Sequence, residues 1–180
     1  IDEKTMKIAF ERLKPDIVFH AAAFKHVPMG ESNPIEMLKN NVIGTKNLVK
    51  LALKHKIKSL TFISTDKAVD PCNIMGASKR IGEMIIRAAA TEAKISISAV
   101  RFGNVLDSAG SVLPLFEEQI AMGGPVTVTH SDVERYFMTA EEASRLVLQA
   151  TALNENQTNK DAPIYILEMG NPVKISHLAR

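Results

Sequence analysis

The residues best suited to chemistry lie in two polar segments, 64–67 and 75–79, which read STDK and MGASK. The first segment combines a hydroxyl, a carboxylate and an ammonium group, which can supply an orienting donor, an acid and a base. Lys79 lies in the first turns of a predicted helix and is expected to project toward the same crevice. Taken alone, Asp66 next to Lys67 is more typical of a solvated ion pair in a loop. Their position after a predicted strand favours a chemical role.

The segment after the preceding strand could bind a nucleotide. Ala21, Ala22 and Ala23 would let a flat ring or a ribose approach the backbone closely, or would serve only tight packing between helix and sheet. Lys25 and His26 could bind phosphate or lie at the surface as ordinary charges. The residues alone leave both alternatives open.

Two arginine residues lie further along the chain. Arg101 comes shortly before Asn104 at the end of a predicted strand, and its planar guanidinium suits a diphosphate because the fork binds two oxygens at once. The alternative is a structural arginine that caps carbonyl groups. Arg135 precedes Tyr136 and would either bind the same ligand or lie in a hinge between substructures.

These segments must be positioned by alternating strands and helices. Strands are predicted at 17–19, 60–63, 95–100 and 164–167, and helices before Pro15 and at 33–55, 76–91, 112–122 and 139–153. The alternation with short connections predicts an α/β fold, a Rossmann-like doubly wound parallel sheet with helices on both faces. Ligands gather at the carboxyl ends of the strands in such sheets, where the polar segments lie.

Capping and periodicity add detail to the helices. Capping boxes are predicted for Asn33 with Glu36 and for Thr139 with Glu142. The 76–91 helix is predicted to carry a Glu83–Arg87 ion pair opposite its apolar face. That apolar face comprises Ile81, Ile85, Ala88 and Ala89. The methionines predicted to fill the core are Met29, Met37, Met84, Met122 and Met138.

Composition excludes several classes of protein. The chain has 180 residues, 46% of them hydrophobic, and a net charge of +2, which excludes disorder. The one cysteine, Cys72, excludes a disulfide scaffold and favours a reducing, cytoplasmic setting. A pI near 8.7 is too weakly basic to indicate nucleic acid. No apolar run reaches the roughly 18 residues of a membrane span, and the histidines lack ligand spacing, so no metal site is predicted.

Seven segments, in order, resemble the extended short-chain dehydrogenase/reductase superfamily. More narrowly, they are similar to the nucleotide-sugar 4,6-dehydratases of bacterial polysaccharide biosynthesis, in capsule and lipopolysaccharide assembly, the branch with large membrane-anchored members. The segments are HAAAFKHVP, NNVIGT, STDKAV, MGASKR, RFGNVL, VTVTH and RYFMT. STDKAV together with MGASKR is the most specific combination.

The resemblance implies an NAD-dependent lyase whose substrate is UDP-N-acetylhexosamine, most specifically UDP-N-acetylglucosamine. Oxidation at position 4 of the sugar acidifies the proton at position 5, which Lys67 would remove. Asp66 would protonate the leaving hydroxyl at position 6, to which hydride returns, and Thr65 would hydrogen-bond the oxygen at position 4. Met75 stands where the superfamily has a catalytic tyrosine. The base for the oxidation is therefore left open between Asp66, Lys79 and Thr65 acting through water.

The resemblance also assigns binding residues. Those implied for the cofactor are Ala21, Ala22, Ala23, Ser64 and Lys79. Those implied for the nucleotide sugar are Lys25, His26, Arg101, Asn104, Val126, Thr127, Thr129 and Arg135. A homo-oligomer in the cytoplasm, or at the cytoplasmic face of the inner membrane, is implied for the parent protein.

One motif of a dinucleotide fold is missing from the sequence. Such a fold begins with a strand and a GxGxxG turn, and none of the nine glycines forms this pattern. We therefore expect a fragment of a longer protein. Residues 1–104 would be a partial NAD-binding domain with the catalytic residues, and 105–180 mainly a substrate-binding part with segments returning to the main sheet. The alternatives are an epimerase or reductase of the same superfamily and, for the fragment itself, an inactive binding module.

Overall fold

The computed structural model describes residues 2–91, 93–106, 108, 111–128, 130–155 and 161–179. It divides into two units, one of Ile1–Arg101 with Val147–Ile166 and the other of Phe102–Leu146 with Leu167–Arg180. No helix among the described residues is both long and apolar enough to cross a membrane.

The first unit is built on a four-stranded parallel sheet. Its strands are β1 (Ile17–His20), β2 (Ser59–Ile63), β3 (Ser96–Arg101) and β7 (Ile164–Ile166), which lie in that order. Its helices are α1 (Glu3–Leu13), α2 (Val27–Ser32), α3 (Pro34–Leu38), a π-helical turn (Lys39–Ile43), α4 (Gly44–His55) and α5 (Ile74–Ala90). The predicted α/β fold with a parallel sheet is confirmed.

Helices cover this sheet on both faces. Since successive side chains of a strand point to opposite sides, neighbouring residues of β2 contact different helices. Phe62 of β2 lies against Gly82 of α5, where a Cβ atom would come within 2.5 Å of the ring. Its neighbour Thr61 points the other way and donates to the hydroxyl of Thr151, 2.8 Å away, in α7 (Ala140–Glu155). The main apolar core lies on the α5 side, with Leu60 among its fully buried members.

Helix α5 was predicted correctly in position but only partly in orientation. Its buried residues are Met75, Gly76, Ser78, Lys79, Gly82, Glu83, Ile86 and Ala90. Of the predicted apolar face, Ile85 and Ala89 pack against the core, whereas Ile81 and Ala88 are exposed. The predicted Glu83–Arg87 pair is wrong, because Glu83 is fully buried and pairs with Arg101 and Arg80. Small and polar side chains face the sheet here, and an apolar pattern cannot identify such a face.

The helix predicted at 33–55 is divided into α3, the π-helical turn and α4. Asn33 does not cap it through its side chain, which donates instead to the carbonyl of Met29, and Glu36 pairs with Lys39 at 2.7 Å. The first capping box is therefore wrong, because Asn33 also ends α2. Of the methionines, Met37 and Met138 are buried as predicted, whereas those that are exposed instead are Met29, Met84 and Met122.

The second unit contains short elements. Strand β4 (Asn104–Val105) pairs in parallel with β6 (Phe137–Met138), and β5 (Glu134–Arg135) pairs antiparallel with β8 (Val173–Lys174). Its helices are α6 (Val112–Ala121), α8 (Ile175–Leu178) and the first part of α7. The capping box at the start of α7 is confirmed: Glu142 N–H donates to the Thr139 hydroxyl, and Thr139 N–H donates to the Glu142 carboxylate.

Candidate active site

The segment after β2 forms a short 3₁₀ turn, Asp66–Ala68, in which the side chains of Asp66 and Lys67 are partly buried and Ala68 is buried. Three donors converge on one oxygen of Asp66. Lys67 Nζ and Lys67 N each lie 2.9 Å from Asp66 Oδ1, and the Thr65 hydroxyl lies 2.8 Å from it. The predicted acid and base are therefore in direct contact, and the turn (Thr65–Lys67) holds the pair with its own backbone. We call Thr65, Asp66 and Lys67 the catalytic turn, after the roles that the sequence predicts for them.

Helix α5 packs directly against the catalytic turn. A Cβ atom at Gly76 would collide with the carbonyl oxygen of Lys67, so glycine is required for this close approach. Lys79 is buried on the same helix, and its Nζ donates to the carbonyl of Ile63 at 2.7 Å and lies 4.8 Å from the centre of the Phe62 ring. The sequence therefore placed Lys79 correctly beside the end of β2.

Burial gives Lys79 an unusual titration. Desolvation penalises its ammonium form and lowers its pKa to about 8, although the carboxylate of Glu83 acts in the opposite direction. An amine with a pKa near neutrality exchanges protons readily at physiological pH. Lys79 therefore loses its proton at a lower pH than an ordinary lysine does.

A buried charged cluster lies behind the catalytic turn, and sequence reasoning missed its central residue. Glu83 Oε1 accepts from Ser64 Oγ at 2.6 Å and from Arg101 Nε at 2.7 Å. Glu83 Oε2 accepts from Arg101 Nη2 at 2.6 Å and from Arg80 Nη1 at 3.2 Å. Burial acts to raise the pKa of Glu83, but the hydrogen bonds from Arg101 and Ser64 outweigh it and lower that pKa. We call Ser64, Arg80, Glu83 and Arg101 the Glu83 cluster.

A second buried network, also missed, fixes the chain after β1. Asn41, in the π-helical turn, accepts from Phe24 N at 2.7 Å and donates to Phe24 O at 2.9 Å, and it also donates to Ser78 Oγ. π-Helical turns within helices are frequent at functional sites. The motif NNVIGT includes Asn41, so the signal was present in the sequence without an assigned role.

His20, at the end of β1, is buried in its neutral form. The Thr45 hydroxyl donates to the carbonyl of Asn41, so His20 Nε2 must donate to Thr45 Oγ1, 2.8 Å away. Burial, together with the charge of Lys79, lowers the pKa of His20 to about 4. This histidine supports the strand end as a neutral group at physiological pH.

The remaining predicted residues of the first unit have varied environments. Ala21 and Ala22 are exposed and Ala23 is partly buried, as the approach of a ligand to this strand end requires. Lys25 and His26 are exposed, whereas Met75 is buried. The side chains of Ser64 and Arg101 are engaged by Glu83, so their roles toward cofactor and substrate stay predictions.

The other predicted substrate residues belong to the second unit. Asn104 N–H donates to the carbonyl of Tyr136 at 2.9 Å, and Thr127 exchanges two hydrogen bonds with Gln119. Arg135 donates to its neighbour's carbonyl and Val126 is partly buried, while Thr129 lies outside the described residues. Their roles stay predictions.

Comparison with known proteins places the chain. The family described as polysaccharide biosynthesis protein matches residues 1–180. The chain belongs to this family. It is 55% identical to the capsular polysaccharide biosynthesis protein CapD of Staphylococcus aureus over 93% of this chain and 27% of CapD. It is 51% identical to the probable polysaccharide biosynthesis protein EpsC of Bacillus subtilis over 99% of this chain and 29% of EpsC.

The family assignment confirms the predicted resemblance to the polysaccharide-biosynthesis branch of the extended short-chain dehydrogenase/reductases. The chain spans less than a third of the length of the two relatives. Among solved structures, Pen from Bacillus thuringiensis has a TM-score of 0.88 at 34% identity, covering 99% of this chain and 53% of Pen. DesIV, a dTDP-glucose 4,6-dehydratase from Streptomyces venezuelae solved with NAD, has a TM-score of 0.86 at 18% identity, covering 99% of this chain and 59% of DesIV. This likeness shows that the two proteins share a fold.

Proposed function

We propose that this chain is the catalytic part of a UDP-N-acetylhexosamine 4,6-dehydratase that acts on UDP-N-acetylglucosamine in the synthesis of a surface polysaccharide. The observation that carries the proposal is the contact between Lys67 Nζ and Asp66 Oδ1, 2.9 Å apart at the carboxyl end of β2. An elimination of water needs an acid and a base at one carbon–carbon bond. Membership of the polysaccharide biosynthesis family and the 55% sequence identity to CapD support a role in polysaccharide synthesis.

The Asp66–Lys67 contact allows the pair to act without outside protons. Transfer of one proton from Lys67 Nζ to Asp66 Oδ1 along the existing hydrogen bond turns the ion pair into a neutral amine and a carboxylic acid. The amine then takes the proton from position 5 of the 4-keto sugar, and the acid gives its proton to the hydroxyl that leaves position 6 as water. Both residues are then in their charged forms. When hydride returns to position 6, Lys67 would give its proton back to position 5, and the proton released from the hydroxyl at position 4 during the oxidation would restore the Lys67 ammonium.

Thr65 and Lys79 would act on the oxygen at position 4. The Thr65 hydroxyl is already next to Asp66, at 2.8 Å, and would turn to bind that oxygen. Met75 is buried and its thioether carries no proton, so it cannot replace the usual tyrosine. Among the groups left open by the sequence, Lys79, with its pKa lowered to about 8 by burial, is best suited to remove the hydroxyl proton.

The residues present fit the nicotinamide ribose of NAD. The exposed Ala21 and Ala22 leave open space at the end of β1, and the carbonyl of Ile63 takes one of the three N–H groups of Lys79. A second N–H group would donate to the ribose diol, and the remaining position of the nitrogen, a lone pair in the neutral amine, would face the hydroxyl at position 4. The chemistry that bound NAD would supply is acceptance of hydride from position 4 of the sugar and its return to position 6.

The test uses the full-length protein and two variants, Asp66→Asn and Lys67→Ala. We expect conversion of UDP-N-acetylglucosamine to a product lighter by one water, followed by mass spectrometry. Loss of a general acid or base costs about 10²- to 10⁴-fold in rate, and each variant should show a loss in this range. The matched controls are Asp70→Asn and Lys58→Ala, which alter exposed residues of the same types. A product of unchanged mass would identify an epimerase and would refute the proposal.

A further inference from the structure

Ser64 joins β2 to the catalytic turn, and both its backbone and its side chain are held. Its N–H donates to the carbonyl of Val100 in β3 at 2.7 Å. Its hydroxyl is buried and donates to Glu83 Oε1 at 2.6 Å. The next residue along the chain is Thr65, so the turn begins from a fixed point.

Helix α5 binds two consecutive residues at the end of β2, Ile63 and Ser64. Lys79 and Glu83 are one helical turn apart and therefore face the same direction. Lys79 binds the carbonyl of Ile63, and Glu83 binds the hydroxyl of Ser64. Glu83 is itself held by both nitrogens of the Arg101 fork, at 2.7 and 2.6 Å, so it has no freedom to follow a moving strand end.

We propose that Ser64 is a positioning residue, whose hydroxyl, held by the Glu83 cluster, sets the place of the Asp66–Lys67 pair. This replaces the cofactor-binding role expected for Ser64 from the sequence. Its kinetic consequence rests on the proposed function. Its structural consequence, a less firmly held catalytic turn when the hydroxyl is removed, does not.

The arrangement explains why a small displacement would matter. A misplacement of about 1 Å in catalytic groups can cost about 10²-fold in rate. Removal of the Ser64 hydroxyl leaves Glu83 paired with Arg101, so the fold keeps its buried ion pair and loses only the connection to the turn. Ser64→Ala therefore perturbs the fold less than a substitution of Glu83 does, and it removes only the connection to the turn.

The first measurement is the steady-state kinetics of Ser64→Ala, Ser64→Thr and Ser98→Ala in the full-length protein. Ser98 is also fully buried in this sheet, and its hydroxyl lies 3.4 Å from Thr61, so its truncation is a matched control. We expect Ser64→Ala to lower kcat about 10- to 100-fold with unchanged KM for the sugar and unchanged Kd for NAD. Ser64→Thr, which keeps the hydroxyl, should restore part of kcat. Weaker NAD binding with kcat preserved at saturating NAD would overturn the proposal.

The second measurement is hydrogen exchange, which needs no turnover. The amides of Ala68 and Val69 donate to the carbonyls of Thr65 and Asp66, at 3.2 and 3.1 Å, and so report on the turn. Their exchange should be faster in Ser64→Ala and unchanged in Ser98→Ala. Faster exchange in a protein that dehydrates no sugar would support the positioning role and reject the proposed function. Unchanged exchange in Ser64→Ala would overturn the positioning role whatever the activity.

Discussion

Two ion pairs of the first unit differ far more in burial than in length. Glu83 Oε2 and Arg101 Nη2 are 2.6 Å apart, and their side chains are 1% and 11% exposed. Asp66 Oδ1 and Lys67 Nζ are 2.9 Å apart, and their side chains are 25% and 24% exposed. Both pairs lie next to Ser64, one through its hydroxyl and the other along the chain.

The difference shows that one strand end can carry both a buried ion pair and a partly exposed one. The carboxylate of Glu83 receives hydrogen bonds on both oxygens, so its charge is fully satisfied and its position is fixed. The carboxylate of Asp66 receives its three donors on one oxygen at a partly open site. A buried pair is suited to hold the structure, and an accessible pair is suited to exchange protons with a ligand.

The largest expected effect is on the buried pair. Glu83→Ala would leave the guanidinium of Arg101 buried without its partner, which typically costs about 3–5 kcal/mol of unfolding free energy. Urea unfolding of the variant and of the unaltered protein measures this difference. A loss no larger than that of Lys67→Ala would contradict the distinction between the two pairs.

The pH dependence of the buried pair follows from the lowered pKa of Glu83. Because the folded pKa lies below the ordinary value of 4.5, the stabilisation is complete above pH 4.5 and is lost as the pH falls through the folded pKa. Glu83→Gln should lack this contribution. The free energy of unfolding of both proteins is measured with denaturant from neutral pH into the acid range. If it changes with pH by the same amount in both proteins, the prediction is wrong.

Lys79 provides a second test, since it is a buried ammonium whose pKa is lowered rather than raised. Between its folded pKa of about 8 and its ordinary value of 10.5, the unfolded chain binds more protons, so stability increases with pH. Relative to Lys79→Met, the protein should gain about 3 kcal/mol over this range, at about 1.4 kcal/mol per pH unit. Lys58→Met alters an exposed lysine and keeps Lys79, so this control should gain as much stability over the same pH range as the unaltered protein.

A smaller effect is expected for the accessible pair. Lys67→Ala should change the unfolding free energy by less than about 1 kcal/mol, because partly exposed pairs gain little net energy. The same variant should lose most of its dehydratase activity if the proposed function holds. Parallel measurement of stability and rate therefore separates a reactive pair from a structural one.

The smallest effect is expected at the surface. Glu141 Oε1 and Arg145 Nη2 of α7 are also 2.6 Å apart, but their side chains are 72% and 74% exposed. Glu141→Ala should change stability by less than about 0.5 kcal/mol. Since the length matches that of the Glu83–Arg101 contact, a large loss at Glu141 would show that distance, and not burial, determines the energy.

The predictable features of this chain are those expressed in local pattern. The strand at 60–63 is continuous and apolar and is found as Ser59–Ile63. The order of polar segments after strands placed Asp66, Lys67 and Lys79 at one strand end, as the structure has them. Both features depend on residues close together in the chain.

The features that could not be predicted depend on partners distant in sequence. Glu83 is separated by 18 residues from Arg101, and an i,i+4 rule assigned it to Arg87 because nothing local indicated burial. Asn41 holds the backbone of Phe24, 17 residues away, from a π-helical turn that interrupts the expected helix. Small residues such as Gly76 and Gly82 allow the close packing that buries these polar groups.

By itself, the sequence determined the fold class, the family resemblance and the position of Asp66 and Lys67 after a strand, because motifs and periodicity are properties of short stretches of chain. Only the tertiary structure decided which charges are buried and which are accessible. Glu83 and Asp66 are both carboxylates near the end of the same strand, and their different environments come from the packing of α5 and β3 around one of them. Burial is a property of the assembled unit, so a pattern of residue types cannot state it.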